Sequence, residues 1–67
     1  MALTDVERLL IRFLKESGME KEETAWTVLS LETTQQQIEL IKWIASKGRA
    51  TPQEILNKTS DIVRSTN

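Results

Sequence analysis

Apolar residues recur at helical spacing along the chain and predict four helices joined by short segments. The predicted helices run from about Asp5 to Ser17, from about Glu20 to Leu31, from about Thr34 to Lys47 and from Pro52 to about Arg64. Short joints fold consecutive helices back against each other, so residues 1–67 are expected to form a single domain. The predicted fold class is all-α, a compact four-helix domain built as a short antiparallel or orthogonal helical bundle.

Capping signals set the boundaries of these helices. Three segments have the Thr-x-x-Glu/Gln spacing of a capping box, in which two side chains pair with free backbone N–H groups: Thr4 to Glu7, Thr33 to Gln36 and Thr51 to Glu54. Pro52 suits a first helical turn, where its missing N–H would be unpaired in any case. Gly18 and Gly48 follow apolar runs and suit the left-handed conformation that ends many helices. Ser65 to Asn67 have no apolar anchor and are predicted to fray.

Helix three has more apolar surface than one neighbouring helix can cover. At 100° per residue its apolar positions span an arc of roughly 220°, whereas a typical surface helix has a stripe little wider than about 100°. These positions are Ile38, Leu40, Ile41, Trp43, Ile44 and Ala45. Helix three is therefore expected to be the central helix of the fold, or to offer its remaining apolar surface to a second chain.

The apolar stripes of all four helices supply the expected core. In helix two the side predicted to face inward holds Ala25, Trp26, Val28 and Leu29. The expected core consists of Val6, Leu10, Phe13, Leu14, Trp26, Leu29, Ile38, Ile41, Ile44, Ile55, Leu56, Ile62 and Val63. Replacement of Ile41 by alanine is expected to cost about 2 to 5 kcal/mol of stability, as for a large buried aliphatic residue.

Cysteine and histidine are both absent from the sequence. Without them the chain has no disulfide, no thiolate nucleophile, no imidazole metal ligand and no histidine general base. It also lacks a Gly-rich phosphate loop. Glu20, Glu22 and Glu23 crowd the start of helix two, where the helix dipole favours negative charge. We therefore expect no catalytic activity, no cofactor and no metal site.

The net charge of −1 gives no field that would steer the chain toward nucleic acid or an anionic membrane. Its halves differ mildly, with −3 over residues 1–33 and +2 over residues 34–67. No apolar run approaches the ~20 residues of a membrane span, and the N-terminus lacks the charged-then-apolar pattern of a signal peptide. The expected protein is soluble and cytoplasmic.

The first functional hypothesis is a protein-interaction or accessory and regulatory module that self-associates through helix three. A chain of 67 residues buries only roughly 60% of the surface that its unfolded form exposes, so a partner would add stability. Tryptophan is enriched at interface hot spots and also fills cores, and both roles stay open for Trp43. The residues predicted to border the contact are Leu40, Trp43 and Lys47. The partner would be a second copy, giving a homodimer, or another protein.

The second hypothesis is DNA binding. The segment from Ile41 to Leu56 resembles the part of winged-helix and other helix-turn-helix regulators where a scaffold helix ends and the first helix of the motif begins. The resemblance implies that a recognition helix should follow and enter the major groove. Here the apolar stripe of helix four continues to Val63, and no recognition helix follows before Asn67.

Phosphate contacts in that second hypothesis would come from Lys42, Arg49, Lys58 and Arg64, because backbone contacts need only positioned cations. On helical wheels these cations project in several directions. Nucleic acid is therefore not the expected partner, and the sequence shows no small-molecule substrate.

A further resemblance spans most of the chain. It consists of Gly18-Met19 before an acidic helix start, a middle helix ending in Trp43 and Ile44, and the segment from Ala50 to Leu56. This order is similar to small uncharacterised all-helical proteins of bacteria. The resemblance implies an all-helical fold and no known activity.

Overall fold

The computed structural model describes residues 3–65 and contains all three capping boxes that the sequence predicts. At the first helix, the N–H of Glu7 donates to the Thr4 hydroxyl at 3.1 Å, and the N–H of Thr4 donates to the Glu7 carboxylate at 2.9 Å. The same reciprocal hydrogen bonds open the third and fourth helices. Each box pairs two backbone N–H groups that the first helical turn leaves free, which fixes where the helix begins.

The four helices are α1 (Asp5–Glu16), α2 (Lys21–Ser30), α3 (Thr34–Lys47) and α4 (Pro52–Ser65). They confirm the predicted order, and the described residues form an all-α four-helix domain without strands. Fraying is wrong for Ser65, which ends α4 and whose hydroxyl donates to the Asp61 carbonyl at 2.7 Å. Thr66 and Asn67 lie outside the described residues.

The start of α2 lacks a threonine cap. Glu20 precedes the helix in an extended conformation, and its N–H donates to the Glu23 carboxylate at 3.0 Å. Glu22 and Glu23 lie in the first turn, where the dipole of the helix favours their negative charge. Carboxylates therefore open α2 in the place that threonine takes at the other helices.

Both glycines follow a helix and adopt positive φ, as predicted: +87° at Gly18 and +81° at Gly48. At the end of α1 the N–H of Gly18 donates to the Lys15 carbonyl and the N–H of Met19 to the Leu14 carbonyl, each at 3.1 Å. These hydrogen bonds pair carbonyl groups that the last turn leaves free. The carbonyl groups of Leu14 and Lys15 are therefore paired although the helix ends there.

The helices pack in a closed circuit. α3 packs most extensively against α1 and also against α4, whereas α2 packs against α1 and α4 on the other side. Each helix therefore has two principal neighbours. This arrangement does not confirm α3 as the central helix, because α2 and α3 occupy comparable places in the circuit.

The core contains apolar residues from α1, α3, α4 and the three joints. The buried apolar residues are Leu10, Leu14, Met19, Leu31, Leu40, Ile44, Ala50, Ile55 and Ile62. Phe13, Val28, Ile41, Trp43, Leu56 and Val63 pack against them while partly exposed. Every predicted core residue of α1 and α4 is buried or half-buried, which confirms the core prediction for these two helices.

Each joint contributes one buried apolar side chain that the helical patterns do not predict. Met19 lies between α1 and α2, Leu31 between α2 and α3, and Ala50 between α3 and α4. All three lie outside the helices, and only Leu31 continues a helical spacing, that of Thr24 and Thr27 in α2. Their burial adds apolar area to the core of a domain whose small size limits the surface it can bury.

The core prediction for α2 is wrong. Trp26 is 47% exposed and Leu29 is 79% exposed. Thr24 and Thr27 take the inward positions instead and are buried against α1 and α4. Because helical residues three apart share a side, the burial of this threonine pair turns the large apolar side chains outward.

The core prediction for Ile38 is also wrong, since its side chain is 37% exposed. Gln37, one position earlier, takes the buried place on α3. Its side-chain amide donates to the Leu31 carbonyl at 3.1 Å and so pairs a backbone acceptor at the end of α2. A buried polar group is tolerated where it is hydrogen bonded, and this bond explains why an amide displaces an isoleucine.

Candidate protein-contact surface

The structure separates the three residues predicted to border a contact through α3. Leu40 is 0% exposed, because it continues the inward stripe formed by Gln37, Leu40 and Ile44 at i, i+3 and i+7. A side chain enclosed by its own chain cannot border a second molecule, so the interface prediction is wrong for Leu40. Trp43 is half-buried against the core and Lys47 is exposed. An intermolecular role for these two residues stays a prediction.

Lys47 makes two contacts within its own chain. Its ammonium Nζ lies 3.1 Å from Oε2 of Glu54 and 5.7 Å from the centroid of the Trp43 ring. A backbone hydrogen bond from Thr51 and a hydrogen bond from Lys47 lower the pKa of the Glu54 carboxyl below its ordinary value of 4.5. Lys47 and Trp43 therefore contribute to the α3–α4 joint.

In α2 the polar threonines face the core and the large apolar side chains face solvent, the reverse of an ordinary amphipathic helix. Thr24 and Thr27 are buried, and neither hydroxyl oxygen has a hydrogen-bond partner in the described part of the chain. Ala25, Trp26 and Leu29 are exposed and fall within an arc of about 100° on the other side. We call these three residues the α2 outer face.

A cleft of about 570 Å³ lies beside the α2 outer face, between α1 and α2. It is lined by Ile11, Lys15, Met19, Lys21, Thr24, Ala25, Val28 and Leu29. None of these residues is acidic, and neither lysine forms an ion pair within residues 3–65. The cleft thus combines an apolar wall with two ammonium groups that have no carboxylate partner.

Trp26 lies on the other flank of α2, next to α4. It lines two adjoining depressions, one with Leu56 and Asn57 and the other with Val63 and Arg64. Leu29, by contrast, lies at the α1–α2 cleft. The α2 outer face therefore extends across the helix from the α1 boundary to the α4 boundary.

The structure does not bring together the cations predicted to contact phosphate. Lys42, Arg49 and Arg64 line three depressions that share no lining residue. Arg64 also lies 3.4 Å from the Asp61 carboxylate. Lys58 lines none of these depressions and is half-buried on α4. This arrangement gives the DNA-binding hypothesis no support.

Residues 3–65 assemble no cluster of metal ligands. Within that range no three acidic side chains come together in a way that could hold a metal ion. Every helix between Leu3 and Ser65 is too short or too polar to cross a bilayer. The α2 outer face and its cleft are exposed and largely apolar.

Sequence reasoning missed this surface because helix two carries two competing stripes. Ala25, Val28 and Leu29 suggest one inward side, whereas Thr24, Thr27 and Leu31 have the i, i+3, i+7 spacing of another. Leu31 was the available signal, since its burial requires the threonine side to face inward. Hydrophobicity alone favours the first stripe, and packing selects the second.

The described residues thus define a compact all-α domain with an apolar surface on one helix. Comparison of the chain with protein-family models, with curated proteins and with solved structures finds no match.

Proposed function

We propose that this protein is a small protein-interaction module, with an accessory or regulatory role in the cytoplasm, whose contact surface is the α2 outer face. The observation that carries the proposal is the orientation of α2. This helix turns two threonines toward the core and presents Trp26 and Leu29 to solvent.

This orientation of α2 lowers the stability of the isolated folded chain in two ways. A buried hydroxyl without a partner costs about 1 to 3 kcal/mol. An exposed leucine forgoes roughly 1.5 to 3 kcal/mol that its burial would contribute. Small domains have total stabilities of only about 5 to 15 kcal/mol, so both effects are large on that scale. A partner that covers Leu29 and Trp26 would recover the second loss.

The grouping of the exposed residues supports the same proposal. Single exposed apolar residues are normal on protein surfaces, whereas contiguous apolar patches mark interaction sites. Ala25, Trp26 and Leu29 are contiguous on one helix, and an apolar cleft adjoins them. Tryptophan is also among the residues that dominate interface energetics.

Retention of partners on immobilised protein tests the proposal. Three proteins are immobilised: the wild type, Leu29→Asn and the control Leu9→Asn. Each is incubated with an extract of cells that naturally express the protein, to which untagged wild-type chain is added. Leu9 is an exposed leucine of α1 that lies about 200° around the helix from Ile11, so it points away from the cleft.

We expect a retained protein, or the untagged chain itself, to bind wild type and Leu9→Asn at least about tenfold better than Leu29→Asn. Thermal unfolding of the three proteins in parallel should show that all are folded. Equal retention by all three, or no specific retention by wild type, would contradict the proposal.

A further inference from the structure

We propose that the cleft between α1 and α2 binds a small amphiphilic anion, of the class of a medium-chain carboxylate, with its charged head at Lys15 and Lys21 and its chain along the apolar wall. This inference does not rest on the proposed function, because the cleft itself carries it and no protein partner is needed. Its volume of about 570 Å³ lies within the roughly 300 to 1,000 Å³ of small-molecule sites. Such sites are mostly apolar and hold a few polar groups that orient the ligand.

The cleft has a charged end and an apolar end. Lys15 lies in the last turn of α1 and Lys21 is the first residue of α2, so both lie beside the short joint that connects these helices. Leu29 and Val28 lie at the far end of α2, and the spacing from position 21 to position 29 corresponds to about 12 Å. On α1, Ile11 lies about one turn before Lys15. A ligand that spans the cleft therefore meets cations at one end and aliphatic side chains at the other.

The acidic residues next to these lysines in the sequence lie on other sides of the two helices. Glu22 and Glu23 follow Lys21, but they line a depression on the flank of α2 that adjoins α4. Glu16 follows Lys15, but it lines a depression that α1 shares with α3. No carboxylate among the described residues lines the cleft itself. The charge of the cleft is therefore complementary to an anion.

Both the charge and the apolar wall are needed to define the ligand. An inorganic anion would pair with the lysines and leave the wall uncovered, whereas a neutral chain would cover the wall and leave the lysines unpaired. A carboxylate on an unbranched aliphatic chain satisfies both, and each methylene that it buries adds to the affinity. Thr24 also lines the cleft, and its buried hydroxyl has no hydrogen-bond partner in the described part of the chain.

The affinity should be modest. Lys15, Lys21 and Leu29 are all exposed, so a bound ligand stays in partial contact with water and its ion pairs are screened. For decanoate we expect a dissociation constant between about 0.1 and 1 mM.

Amide chemical shifts of the isotope-labelled chain, followed during titration with decanoate from about 0.05 to 5 mM, cover this range and test the proposal. We expect saturable shifts at cleft residues such as Lys21, Ala25 and Val28. Acetate has the head without the chain, and decyltrimethylammonium has the chain with the opposite charge. Each should bind at least about tenfold more weakly than decanoate.

Substitution of the lysines tests the charged end. Lys15→Gln combined with Lys21→Gln should weaken decanoate binding about five- to tenfold, because each exposed ion pair contributes modestly. The control combines Lys42→Gln with Arg49→Gln, which removes the same charge from two depressions that share no residue with the cleft. This control should bind decanoate as the wild type does.

Substitution of Leu29 tests the apolar end. Leu29→Asn should weaken decanoate binding about threefold or more, because the chain of the ligand loses an aliphatic contact. Leu9→Asn, which points away from the cleft, should leave binding unchanged. The dispersion of the amide spectrum checks that every variant is folded.

Decanoate that causes no saturable shifts in the cleft overturns the proposal. So does decyltrimethylammonium or acetate that binds as tightly as decanoate, and so does a double lysine variant that binds decanoate as its control does. Flotation with vesicles of phosphatidylcholine, with and without phosphatidylglycerol, separates a free amphiphile from a lipid surface. A chain that binds the anionic vesicles but not decanoate would recognise a membrane, and the inference would fail.

Discussion

The Lys47 ammonium lies 3.1 Å from the Glu54 carboxylate and ties the last turn of α3 to the first turn of α4. The same carboxylate accepts a hydrogen bond from the Thr51 N–H at 2.9 Å. Both interactions favour the charged form of Glu54 and lower its pKa below 4.5. The Glu54 side chain thus caps the start of α4 and also links α4 to α3.

We expect Glu54 to make the stability of the fold depend on pH. Folding lowers the pKa of its carboxyl, so its contribution is fully present above the unfolded pKa and is lost as pH falls through the folded pKa. Glu54→Gln keeps a capping side chain, as Gln36 does at α3, but removes the charge.

The check is the thermal midpoint of wild type and Glu54→Gln measured from about pH 7 down to about pH 2. Wild type should be the more stable protein at neutral pH, and the difference should shrink as pH falls below about 4.5. A difference that persists unchanged at the acidic end would show that the charge of Glu54 is not its cause.

Thr27 and Thr59 form a matched pair of fully buried threonines. The Thr59 hydroxyl donates to the Ile55 carbonyl at 2.8 Å, whereas the Thr27 hydroxyl has no partner among the described residues. Valine keeps the shape of threonine and removes the hydroxyl. Thr27→Val should therefore raise the free energy of unfolding by about 1 to 2 kcal/mol, and Thr59→Val should lower it by about 1 kcal/mol.

Urea denaturation measures both changes, and the opposite signs make each variant the control for the other. If both substitutions destabilise the protein equally, the Thr27 hydroxyl has a partner after all.

The helix boundaries could be predicted because capping is a local interaction. Thr4 and Glu7, for example, are three residues apart, and their hydrogen bonds need no other part of the fold. The inward side of α2 could not be predicted in this way. It depends on how α2 packs against both α1 and α4, and α4 is distant from α2 in sequence.

The sequence predicted the contact surface on α3, whereas the structure exposes apolar residues on α2, for the same reason. Leu40 and Trp43 are both apolar positions of one wide arc, and the sequence does not show which of them the neighbouring helices cover. Gln37 decides the outcome, because its hydrogen bond to the Leu31 carbonyl turns Leu40 inward with it. A buried amide is a weak signal in a sequence, since glutamine is usually exposed.

Gly48→Ala should destabilise the protein by about 1 to 3 kcal/mol, because Gly48 has φ +81° and ψ −46°, a region that residues with a Cβ rarely adopt. Nothing lies within 4 Å of a Cβ added there, so the cost is conformational rather than steric. Ser46→Ala, at an exposed position of the same helix, should change stability by less than about 0.5 kcal/mol. Equal urea midpoints for the two variants would contradict the assigned backbone conformation.

Leu40 is buried and is expected to stabilise the fold, whereas Leu29 is exposed and is available for contact with another molecule. Leu40→Ala should lower the free energy of unfolding by about 2 to 5 kcal/mol, since the side chain is fully buried. Ile41→Ala should cost less, about 1 to 2 kcal/mol, because Ile41 is only half-buried.

Leu29→Ala should change the free energy of unfolding by less than about 0.5 kcal/mol in dilute solution, because Leu29 is 79% exposed in the single chain. Urea denaturation of wild type, Leu40→Ala and Leu29→Ala in parallel measures these differences. A large Leu29→Ala effect in dilute solution would mean that Leu29 packs within its own chain, and the α2 outer face would then lose its central residue.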